Sequence, residues 1–292
     1  MLNSLYTKGE FLINGQKGTL NQLEGRLSFI DYIVHQSNIH DKTGAKHNTY
    51  NLSAKEKDYR NFLFYKHFIS NKKLIIITEG KTDELYIKAA LKKFHTLYPK
   101  LITKKGSKTY QYNISFLNRT KHFEYFFGTP KDGADAFTTL YKYFNGTDNA
   151  DDLYKFFKQK SAAFTQNAII FLFDNETISD RPLRKFISKY KLSKEQKDKL
   201  KKENIVLLNK DCNLNLATVP LVDDKKECEI EDLFDEDTLN TVINGRTFSR
   251  HDENSKKYYN KNIFSKYIYD NYSIINFDAF KPLLDNINKL QK

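Results

Sequence analysis

Four acidic positions fall where two apolar runs stop. "IIITEGKTD" (75–83) carries Glu79 and Asp83 on either side of Gly80, and "IIFLFDNE" (169–176) ends in Asp174 and Glu176. If both runs are strands, alternation points Asp174 and Glu176 to one side, with Asn175 between them. Carboxylates gathered from two strand ends repel one another and shift each other's proton affinity. A bound divalent cation relieves that cost, and hard oxygen donors of this kind suit magnesium or manganese. "CEIEDLFD" (228–235) adds Glu229, Glu231 and Asp232. Two readings of that stretch stand: a second group of metal ligands, or a solvated acidic helix start, where acids are favourable. "EGKT" is not a triphosphate-binding loop, because Ile76 and Thr78 stand where G-x-x-x-x-G-K-[ST] needs glycine-rich sequence.

The elements that must position these acids are legible as alternation. "KLIIIT" (73–78) and "NAIIFLFD" (167–174) are short, β-branched or aromatic runs expected as buried parallel strands. Further strands are predicted at "YQYNISFL" (110–117), "NIVLLN" (204–209) and "LATVPLV" (216–222). Helices are expected after Thr82 as cap, with Ile87, Ala90, Leu91 and Phe94 on one face, and over 132–144 and 151–158. More follow in "PLRKFISKYKL", in "SKEQKDKLKKEN" behind a Ser193–Gln196 capping box, and over 260–272 and 278–290. Residues 72–292 therefore read as one α/β domain, a mostly parallel sheet with helices on both faces and a C-terminal helical extension. Residues 1–71 read as a small α-rich segment. It begins with a hairpin closed at Gly15 or Gly18, then a helix bearing Leu20, Leu23, Leu27, Ile30 and Val34. A polar loop follows at 40–48, and a Ser53–Glu56 capping box opens a helix to about Ile69.

Composition narrows the partners. The 292 residues are 39% apolar and 14% aromatic, enough for a real core, and no apolar stretch reaches the roughly 20 residues a membrane span needs. "MLNSLYTKGE" lacks the pattern of a secretory signal, and Cys212 and Cys228 are too few for a disulfide framework, so a reducing cytoplasm is expected. A net charge of +12, mostly lysine, favours a polyanion such as nucleic acid, though a lysine-rich solvated surface gives the same figure.

Taken together, "EGKTD" and "DNE" after apolar strands, with "EIEDLF" after a further one, resemble the TOPRIM domain of the overcoming-lysogenization-defect type of nuclease. The second motif of that family is D-x-D, and here it is D-x-E. "FLINGQKGTLNQLEGRLSFIDYI" (11–33) and "YRNFLFYKHFI" (59–69) resemble the thumb-like end of a retron reverse transcriptase, an RNA-directed DNA polymerase. No YxDD-like polymerase site is present. The resemblance implies a Rossmann-like fold and Mg²⁺-dependent endonuclease chemistry on DNA or RNA, tRNA included. It implies two ions, Mg²⁺ or Mn²⁺, held by Glu79, Asp83, Asp174, Glu176, Glu229 and Glu231. Glu79 would be ligand or general base, and Lys261 the cation that steadies phosphate charge, with Lys257 in reserve. Lys81, Lys256, Lys257 and Tyr258 would contact nucleic acid, with the tyrosines of "KKYYNKNIF" either stacking on bases or filling core. The implied partners are the retron reverse transcriptase and its RNA–DNA product, in anti-phage defence. Self-association into a homo-oligomer stays open, and so does a catalytically silent module that docks the retron nucleic acid.

Overall fold

The structure is a computed structural model describing residues 1–27, 52–129, 135–147, 150–161, 164, 166–178, 180–250, 254 and 256–291. Its residues group into two compact units.

The first unit takes the described residues of 1–72, 118–131 and 135–166. The hairpin is present, Leu12–Ile13 against Gln16–Lys17, closed through Asn14 and Gly15 at positive φ. The helix predicted from Leu20 is present over 20–27; the rest of it and the loop at 40–48 lie outside the described residues. Ser53 and Glu56 form the expected capping box on helix Ala54–Phe64, which continues as a π-helical turn over Tyr65–Ile69. Sequence reading drew one boundary near 71 and gave everything beyond it to the sheet domain. Instead, helices Lys121–Phe127, Asp135–Asn145 and Leu153–Lys160 join the N-terminal residues. Aromatic packing explains this: Phe64 meets Phe144 at 5.2 Å, Phe68 meets Phe144 at 5.1 Å, and Tyr6 meets Phe157 at 4.9 Å between ring centroids. Such pairs add to simple burial.

The second unit takes 73–117 and the described part of 167–292. It runs β1 (Leu74–Thr78), α1 (Asp83–Lys93), β2 (Ile102–Lys104), β3 (Tyr110–Tyr112), β4 (Ile114–Phe116), β5 (Ile169–Phe173), α2 (Pro182–Lys189), α3 (Lys194–Glu203), β6 (Ile205–Asn209), β7 (Leu214–Thr218), the one-turn α4 (Glu236–Leu239), β8 (Thr247–Phe248), β9 (Tyr258–Tyr259), α5 (Lys261–Asp270) and α6 (Lys281–Leu290). Five strands form a mixed, mostly parallel sheet in the order β4-β1-β5-β7-β6, in which only β6 is antiparallel to its neighbour. Leu74, Ile76, Ile170 and Leu172 point into a core shared with Tyr86 and Leu91 of α1, Phe264 of α5 and Leu284 of α6. On the opposite face Phe171 and Phe173 meet Phe186 of α2.

Two local expectations are corrected. The run 110–117 is two strands, because Asn113 donates its amide to Leu101 and breaks the ladder; β3 turns away to pair antiparallel with β2. The strand predicted at 216–222 is shifted to Leu214–Thr218, since Asn213 and Lys210 close a turn just before it. Both cysteines are buried and free, and among the described residues no helix is long and apolar enough to cross a membrane.

Ile170 in the central strand is fully buried, whereas Leu207 in the edge strand is 41% exposed. Ile170→Ala is expected to cost about 2–5 kcal/mol, a cavity as well as lost transfer. Leu207→Ala should stay within about 1 kcal/mol. Urea denaturation of both variants measures the contrast.

Candidate functional site

β1, β5 and β7 are parallel neighbours, so their carboxyl ends lie along one edge of the sheet. Thr78 sits in register with Leu172, which sets Glu79 beside the end of β5, and the backbone amide of Asp174 donates to the Glu79 carboxylate. Asp83 opens α1 and accepts the Gly80 amide at 2.8 Å. The expected Thr82 cap is not made through its hydroxyl, which donates instead to Asp83 Oδ1 at 3.3 Å. Gly80 is needed at this turn: a Cβ there would lie 3.0 Å from Asp83 Oδ1.

The chain beyond β7 returns along 174–176. Asn175 and Cys228 exchange backbone hydrogen bonds of 2.8 and 3.1 Å, and Asn175 Nδ2 donates to the Val219 carbonyl. That bridge seats a 3₁₀ turn, Ile230–Leu233, whose Ile230 amide donates to Asp174 Oδ1 at 3.0 Å. The solvated reading of "EIED" therefore fails for Glu231, which is completely buried and accepts from Tyr86 Oη at 3.3 Å. Asp232 caps the same turn by accepting the Glu229 amide at 2.7 Å.

Three cations meet these acids, two of them brought by one short ladder. β8 and β9 are parallel, so the residues leaving them emerge at one end: Arg250 just after β8, Lys261 just after β9. Lys261 Nζ stands 3.1 Å from Glu229 and 3.1 Å from Glu231. Arg250 reaches Asp232 at 2.9 Å and Glu229 at 3.7 Å, and Lys225 reaches Asp232 at 2.9 Å. Glu176, expected beside Asp174, instead pairs with Arg181 at 3.3 Å on the rim.

Burial, with repulsion from neighbouring acids, pushes the Glu79 carboxyl from its ordinary 4.5 up to about 7. Burial and the charge of Glu231 take Asp83 from 3.8 to about 7. Asp174 is raised well above its ordinary 3.8 by burial, then by Asp83, Glu79, Glu231 and Glu229. Asp232 goes the other way: burial opposes it, but Arg250 and Lys225 hold its carboxyl below the usual value. Burial works against the Lys261 ammonium as well, yet Glu231 and Glu229 raise its pKa.

Of the predicted ligands, Glu79, Asp83, Asp174, Glu229 and Glu231 thus share one electrostatic patch with Lys261, and Glu176 borders it. As a donor set it is all hard oxygen with too little positive charge, which is chemistry that accepts a divalent cation. As the side chains stand, no three among the described residues surround a point where an ion would sit. Holding one requires carboxylates to turn, Glu229 and Glu231 away from Lys261. Lys81, Lys256 and Lys257 are exposed, and Lys257 lies 5.2 Å over the Tyr258 ring. Tyr259 is core, its hydroxyl donating to the Thr241 carbonyl at 2.6 Å. Sequence reading missed Tyr86, Arg181, Lys225 and Arg250, as it missed the two-residue strands that bring Arg250 and Lys261 together.

No family model matches the chain, and no solved structure matches it.

Carboxyls raised above their unfolded values bind more protons folded than unfolded, so their share of stability is present at low pH and is lost as pH rises from about 4 through 7. Asp174→Asn removes the most crowded charge while Oδ1 still accepts from Ile230. In EDTA its melting temperature should exceed the wild type's by roughly 2–6 °C at pH 7.5, for about 1–2 kcal/mol relieved. The gap should close towards pH 4.5. Lys261→Met should do the reverse, destabilising by about 1–3 kcal/mol because Glu231 stays buried without its partner. Added Mn²⁺ should restore more stability to it than to the wild type, read by thermal melts with and without the ion.

Proposed function

We propose that this chain is a divalent-metal-dependent phosphodiesterase, an endonuclease cutting DNA or RNA, built on a TOPRIM-type core and serving as the effector of a retron anti-phage system. The observation that carries the reading is the meeting of Glu79, Asp83, Asp174, Glu229 and Glu231 at the carboxyl edge of a parallel sheet, with Lys261 among them. The net charge of +12 around so acidic a centre suits a polyanionic substrate.

Asp83, Asp174, Glu229 and Glu231 are the residues that would hold Mg²⁺ or Mn²⁺, and the bound cation would supply Lewis acidity and a more acidic attacking water. Glu79, beside the end of β5 among these acids, would be the group that takes a proton from that water. The water oxygen bonds to phosphorus, the bond to the sugar oxygen breaks, and that oxygen is protonated from solvent. Lys261, released from one of its two carboxylates, steadies the charge that builds on the phosphoryl oxygens. Lys81, on the exposed turn between β1 and α1, and Lys256, Lys257 and Tyr258 are assigned to the flanking nucleic acid. The retron reverse transcriptase and its RNA–DNA product remain the proposed regulators.

A second reading has its own observation. Lys261 already neutralises Glu229 and Glu231, and no three acids surround an ion position among the described residues, as a silent nucleic-acid-docking module would have it. The two separate in one experiment, with supercoiled plasmid and structured RNA incubated with Mg²⁺, Mn²⁺ or EDTA. The nuclease requires cleavage that depends on metal and falls at least about 100-fold in Glu79→Gln and in Asp174→Asn, as loss of a general base or ligand does. Salt-sensitive binding without cleavage under any condition would leave only the docking module.

A further inference from the structure

Beside the acidic patch lies a feature of opposite sign. A cavity of about 530 Å³ opens between α2, α3 and the segment 221–226. That volume is within the roughly 300–1,000 Å³ of small-molecule sites. Arg184, Lys197, Lys201, Lys225 and Lys226 line it, with no carboxylate among the described lining residues. Its floor is apolar: Ile187 and Leu200 contribute, while Ile178 and Leu221 stand 56% and 46% exposed at its mouth. Exposed branched apolar side chains ringed by like-charged cations are costly in both respects unless something covers the one and neutralises the other.

The cations are differently committed. Arg184 Nη1 donates to the Ile178 carbonyl at 2.7 Å, which fixes its guanidinium at the rim. Lys225 is shared with Asp232. Lys197, Lys201 and Lys226 are exposed and make no ion pair among the described residues. Glu227, beside Lys226 in sequence, accepts from the Ile178 amide at 2.7 Å. Asn175 forms part of the wall, between Asp174 and Glu176, so the cavity abuts the acidic patch.

We propose that this cavity binds a phosphorylated nucleoside, its flat base against Ile178, Ile187, Leu200 and Leu221 and its phosphate among Lys197, Lys201 and Lys226. A flat apolar body with an anionic tail matches both halves of the lining, which neither inorganic phosphate nor an uncharged nucleoside does. The nucleotide is either free or one unit of a strand whose next phosphates run on toward Lys225 and Asn175. The site goes beyond the cleavage reading and is tested without it, in EDTA.

Calorimetric titration of the full chain with each of the four ribonucleoside 5′-monophosphates, with the matching nucleosides, with inorganic phosphate and with a short single-stranded oligonucleotide provides the test. Nucleotide should bind at least about tenfold tighter than nucleoside or phosphate alone. Lys197→Glu/Lys201→Glu, on the exposed face of α3, should weaken it at least about tenfold and flatten the salt dependence, since those contacts release counterions. Leu221→Ala should weaken nucleotide but leave phosphate unchanged. Loss of binding for free nucleotide supports the site with a free ligand; loss for the oligonucleotide alone supports it with a strand as the source. Phosphate binding as tightly as nucleotide, or no ligand affected by either variant, overturns it.

Discussion

Five carboxylates in one largely buried patch constrain nearly everything around them. Each charge raises the cost of the next in a medium that screens poorly, so the fold must spend amides and cations on them. It does so economically. The Asp174 amide serves Glu79, the Gly80 amide serves Asp83, and the Ile230 amide serves Asp174. Two of these donors come from the backbone of another acidic segment and the third from Asp83's own turn, so the geometry that gathers the charges also gathers their partial compensation. What is left over sits as raised proton affinity on Glu79, Asp83 and Asp174. A site built only for stability would have replaced one of these acids by asparagine; natural chains tolerate such strain where function requires it.

The sheet makes this gathering possible. Because β1, β5 and β7 are parallel neighbours, residues far apart in sequence leave the sheet at one edge, and the Asn175–Cys228 bridge folds a third acidic segment back over the first two. The cations obey the same rule in miniature. Two residues of parallel ladder between β8 and β9 are enough to bring Arg250 and Lys261 out side by side. Parallel pairing, which costs long connections, here repays them by converging chain ends.

The sequence was most legible where burial is two-sided. β1 and β5 are continuous apolar runs because both faces are covered, and the acids that end them are visible as abrupt changes of character. Capping boxes at Ser53 and Ser193 were equally plain, since every partner lies within three residues. Illegible were features decided at long range. The break at Asn113 depends on a carbonyl twelve residues back, Leu101. The attachment of 118–129 and 135–166 to the N-terminal unit depends on which aromatic stripe meets which, and Phe123, Phe144 and Phe157 look the same whether they cover a sheet or a helix. Tyr86, in the first turns of α1, donates to the fully buried Glu231, which no local pattern announces.

Charge is also divided along the molecule's surface with a consistent polarity. Acids concentrate at the carboxyl edge of the sheet, while α2, α3 and the 221–226 segment present Arg184, Lys197, Lys201 and Lys226 next door. Asp232 and Lys225 join the two regions through a single 2.9 Å ion pair. An anion entering the basic side competes with Asp232 for Lys225, and a cation entering the acidic side competes with Lys261 for Glu229. The first would leave Asp232 to Arg250 and the second would leave Lys261 to Glu231, so each displaced partner keeps a counter-charge without any rearrangement of the backbone.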